Sequence, residues 1–153
     1  MRVFFDAIEN LPELSELSEI AGKGPVNIIG ASEGAKAHIL SAFLAKTGKR
    51  AMVISQSEAA AREFSRELSL FTGRETAYLP AADITFKSAY STSYDLTESR
   101  ICAINMVNNG ASLSLSASSL LCFVMPRKQF NEKTISIEVG TELTNFTENL
   151  VSI

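Results

Sequence analysis

The residues whose types and spacing can do chemistry cluster in Gly30-Ala31-Ser32-Glu33-Gly34-Ala35-Lys36-Ala37. A short apolar run, Val26 to Ile29, leads into this glycine turn, and a helix-forming stretch follows it. Strand, tight turn and helix start are the layout of a phosphate loop, where free N–H groups and the helix dipole favour an anion. The working pattern is G-x-x-x-x-G-K-[ST]. With Gly30 at the first glycine, Ala35 stands at the second, Lys36 at the lysine and Ala37 at the hydroxyl.

The replacements have chemical consequences. Ala35 carries a Cβ where bare backbone would approach phosphate oxygens. Ala37 has no oxygen to offer a magnesium ion. Glu33 brings a carboxylate to the loop, and like charges at close range oppose phosphate binding. The pattern is that of a nucleotide site without its nucleotide chemistry. An ordinary strand–loop–helix with two glycines, Gly30 and Gly34, fits the same residues.

Other candidates are weaker. The long loop from Ala81 to Tyr94 holds Phe86, Tyr90 and Tyr94, which could stack on bases or pack the loop onto its own domain. His38 is the only histidine and has no cysteine or carboxylate at ligand spacing. Ser32 lacks a nucleophile-elbow context. Arg62 and Arg66 share their helix with Glu58, Glu63 and Glu67, which reads as a solvated face with ion pairs.

The elements that must position these residues follow from periodicity. Leu11, Leu14, Leu17 and Ile20 make one apolar stripe near the N-terminus. Val26–Ile29, Ala51–Ile54, Thr76–Leu79 and Ser112–Ser116 read as strands. Helices are predicted from about Gly34 to Thr47, from a Ser55–Glu58 capping box to Gly73, from an Asp95–Glu98 capping box to Asn108, and from Ser118 to Phe123. Strands alternating with helices indicate an α/β fold with a parallel sheet covered by helices. After Pro126 the pattern changes: Thr134 to Val139 alternates strictly, and a helix is predicted from Gly140 onward.

Composition sets bounds. The 153 residues suffice for one domain with a real core. A net charge of −3 gives no global footprint for nucleic acid. Cys102 and Cys122 match no metal spacing and are expected as small core residues of a reduced, cytoplasmic protein. The opening residues turn acidic too soon for a signal peptide, and no apolar run is long enough to span a bilayer.

The run from Ile29 to His38 resembles the N-terminal module of bacterial transcription-repair coupling factors. Tyr78-Leu79-Pro80-Ala81-Ala82-Asp83 with Phe86 and Tyr94-Asp95, Ser116-Ala117-Ser118-Ser119-Leu120-Leu121 with Pro126, and Ile135-Ser136-Ile137-Glu138-Val139-Gly140 continue the match in order. The resemblance implies a RecA-like (P-loop NTPase-like) domain related to the first domain of excinuclease B, with a degenerate phosphate loop, followed by the start of a second small α+β subdomain. The implied division is a helical segment over 1–24, the degenerate RecA-like domain over 25–129 and a truncated second subdomain over 130–153. The full-length protein would be an ATP-driven DNA translocase of nucleotide excision repair. It would use ATP and magnesium in downstream helicase-type motors and displace stalled RNA polymerase from double-stranded DNA. It would recruit excinuclease A, the damage-recognition protein, mainly through the second subdomain. This stretch is itself expected to hold no cofactor or metal and to catalyse nothing. Two alternatives stay open: a divergent but functional ATP-binding domain relying on Lys36, and a DNA-binding module using the Phe86–Tyr94 loop.

Overall fold

Three short strands form one parallel sheet because each follows a helix ending in glycine or an asparagine–glycine turn and starts an apolar or alternating run. The computed structural model describes residues 8, 11–82, 94–135, 137 and 139–140. Two units divide the chain, Met1–Cys122 and Phe123–Ile153.

In the first unit the order is α1 (Pro12–Ile20), α2 (Glu33–Thr47), β1 (Met52–Ser55), α3 (Glu58–Thr72), β2 (Thr76–Leu79), α4 (Tyr94–Asn108), β3 (Ser112–Ser116) and the single turn α5 (Ala117–Leu120). The sheet order is β1-β3-β2, all parallel. The protein is therefore α/β, with helices flanking a small sheet. Gly48 and Gly73 close α2 and α3 in the left-handed region, at φ +66° and +65°, where a Cβ would be strained.

Register fixes what each face of the sheet meets. Met52, Leu113 and Ala77 share one row, and Ile54, Leu115 and Leu79 the next, all on one face. Helix α4 covers this face over β2 and β3, so Ala77, Leu79, Ala103 and Leu115 form the buried core, with Ile104 and Val107 packed on it. Over β1 nothing described covers it, and Met52 and Ile54 are more than half exposed. The opposite face carries Ser114 and Tyr78 and lies under α3. There Ser114 is fully buried and donates from Oγ to the Ala61 carbonyl at 2.8 Å.

Several sequence expectations change. Val26–Ile29 joins no sheet and forms no helix, turn or bend. Pro25 lacks an N–H and Asn27 interrupts the apolar run, both unfavourable in a ladder. Val26 and Ile28 instead line a groove with α1. The cap of α3 is Ser57, accepting from the Ala60 N–H at 3.2 Å, not Ser55. Asp95 lies within the first turn of α4 rather than before it. Cys102 is exposed, and both cysteines are free.

In the second unit, α6 (Arg127–Glu132) follows Pro126 and buries no residue. Thr134, Ile135 and Ile137 are exposed and in no strand, while Ser136, Glu138 and the helix predicted beyond Gly140 lie outside the described residues. Among the described residues, no helix is long and apolar enough to cross a membrane.

Candidate functional site

At the glycine turn the chain bends at Gly30 and enters a helix at Glu33, two residues before the second-glycine position of the phosphate-loop pattern. Gly30 has φ +84°, a conformation that L side chains rarely adopt. Ser32 is extended, and its carbonyl accepts from the N–H groups of Ala35 (3.0 Å) and Lys36 (3.2 Å), which starts α2. Its hydroxyl does not cap the helix.

Side chains at the turn are arranged differently from a ligand cradle. Lys36 Nζ donates to Glu33 Oε1 at 2.5 Å, one helical turn back, in an exposed ion pair. The ammonium that would meet a phosphate thus already meets a carboxylate. Ala37, at the position of the magnesium-binding hydroxyl, is fully buried. Ala35 is half-buried and Gly34 lies inside the first turn of the helix. The segment leading into the turn is unpaired, and Ile29 is 93% exposed. A working phosphate loop hangs from a central strand; among the described residues this one has no sheet beneath it.

Phe86 and Tyr90 lie outside the described residues. Tyr94 is the first residue of α4 and 91% exposed. His38 stacks on Phe71 with centroids 4.7 Å apart and planes 12° apart, which ties α2 to α3. Arg66 pairs with Glu63 at 3.8 Å.

Sequence reasoning missed a cluster at the carboxyl end of β2. Glu58 accepts from the Ala81 N–H at 2.6 Å through Oε1 and from the Tyr78 hydroxyl at 3.2 Å through Oε2. The Arg62 guanidinium lies 5.2 Å from the Tyr78 ring centroid. Arg100 donates to the Pro80 carbonyl. Burial is the main cause that pushes the Tyr78 phenol above its usual range; the Glu58 carboxylate adds to this, and Arg62 opposes it. In sequence Glu58 reads as a capping residue, and nothing in its spacing points across the fold to Ala81. The cluster fastens the chain after β2.

No family model, curated protein or solved structure matches this chain. Among the described residues, no group of three or more His, Cys, Asp or Glu is placed to hold a metal ion.

Proposed function

We propose that this chain is a non-catalytic, cytoplasmic N-terminal module of a transcription-repair coupling factor, built on a degenerate RecA-like domain. The full-length protein would be the ATP-dependent translocase that displaces stalled RNA polymerase and recruits excinuclease A. Support comes from the collinear residues that resemble that family and from the compatible α/β arrangement. The observation that carries the reading is local: Lys36 is neutralised by Glu33, and the magnesium-hydroxyl position is a buried alanine. Neither phosphate nor magnesium finds its usual ligand there.

Fluorescence anisotropy with a labelled ATP analogue and magnesium tests this. Wild type and Lys36→Ala are expected to give the same unsaturated signal. A saturable curve lost in Lys36→Ala would favour a functional ATP-binding domain instead. The DNA-binding alternative draws on the exposed Tyr94 ring. It requires a duplex or single strand to shift at low salt, with a steep salt dependence and loss in Tyr94→Ala; no shift at low salt removes it.

A further inference from the structure

We propose that the groove between α1 and residues 25–29 is a docking site for an extended, basic segment of a partner protein that alternates apolar with Lys or Arg side chains. This is independent of the phosphate-loop reading. The groove encloses about 320 Å³. Its apolar wall is Leu14, Leu17 and Ile20 of α1, Ile39 of α2, and Val26 and Ile28 of residues 25–29. That volume is at the low end of the roughly 300–1,000 Å³ typical of ligand pockets. It holds one or two apolar side chains and is too small for a helix face.

Two further features define the occupant. First, residues 25–29 run without helix, strand, turn or bend, and their backbone groups make no hydrogen bond to other described residues. Val26 and Ile28 are exposed despite lining the groove. An unpaired segment beside an apolar groove is the template for strand addition, in which main-chain bonds give affinity and alternate side chains give specificity. Second, the rim is acidic. Glu13 and Glu16 line the groove, and Glu19 follows on the same helix, which carries no basic residue. None of the three pairs with a cation among the described residues; Lys46 reaches α1 at the Ser15 hydroxyl, 2.8 Å away, and not at a carboxylate. Three carboxylates spaced one turn apart repel one another. Cations on alternate positions of an added strand would relieve that repulsion while its apolar residues enter the groove.

The test titrates the full chain into a fluorescein-labelled peptide alternating valine with arginine, read by anisotropy, beside one alternating valine with glutamate. Saturable, salt-sensitive binding of the basic peptide is expected, with new amide protection at residues 26–29 in hydrogen exchange. Glu13→Gln/Glu16→Gln and Ile28→Asp alter exposed positions, so both variants keep the fold. Each is expected to weaken binding about tenfold or more. The proposal is overturned by absent binding, by equal binding of the acidic peptide, by unchanged affinity in both variants, or by protection elsewhere. Self-association of the chain through this face, uncompeted by the peptide, also overturns it and assigns the groove to a second copy.

Discussion

Lys36 and Glu33 face water, and exposed ion pairs of this kind contribute only ~0.2–1 kcal/mol. Their pairing matters for what the lysine can meet rather than for stability. Glu33→Gln is accordingly expected to change unfolding free energy by less than about 1 kcal/mol, measured by urea denaturation. A larger loss would mean that Glu33 makes a contact beyond Lys36. Tyr78 is the residue whose titration should register. Its phenol is held above its ordinary value, so the unfolded chain ionises first as pH rises. Stability from this group is whole below about pH 10 and falls as pH climbs from there through the folded value. Tyr78→Phe should flatten that alkaline fall in a Tm-against-pH series. An identical slope in both proteins would remove burial of this hydroxyl as its cause.

At the scale of elements, the uneven cover of the sheet sets which substitutions matter. Ile54 and Leu115 share a row on the same face, yet α4 shields only Leu115. Leu115→Ala is expected to cost ~2–5 kcal/mol, as core truncations do. Ile54→Lys should stay within about 0.5 kcal/mol. Comparable losses for both would show that β1 is covered on that face. Gly48→Ala forces a side chain into the left-handed region at the end of α2 and should cost about 1–2 kcal/mol, read from the shift in Tm.

The same scale explains what is legible in the sequence. Glycine C-caps and apolar periodicity place α2, α3, α4 and all three strands close to where they stand, because those signals are local. The Ser112–Ser116 alternation also indicates a strand, but alternation alone does not say that its serine face is buried. Ser114 goes inside because the Ala61 carbonyl of α3, packed on that face, accepts its hydroxyl. Val26–Ile29 departs from expectation for the converse reason. Its apolar residues suit a strand, but Val26 and Ile28 line a groove with α1 and Ile39 of α2 while Ile29 is exposed, and no local signal distinguishes those outcomes. At the site, the type and offset of Glu33, Lys36 and Ala37 are readable. Their pairing and burial depend on the helix that carries them.

For the whole molecule, the phosphate-loop positions carry a lysine paired with Glu33 and a buried Ala37 and, among the described residues, have no strand beneath them. In the proposed module, partner binding would not depend on nucleotide. Calorimetric titration of ATP with magnesium into the chain tests this most directly. No saturable heat is expected, and no difference between titrations with and without magnesium. Magnesium-dependent binding at micromolar affinity would contradict it.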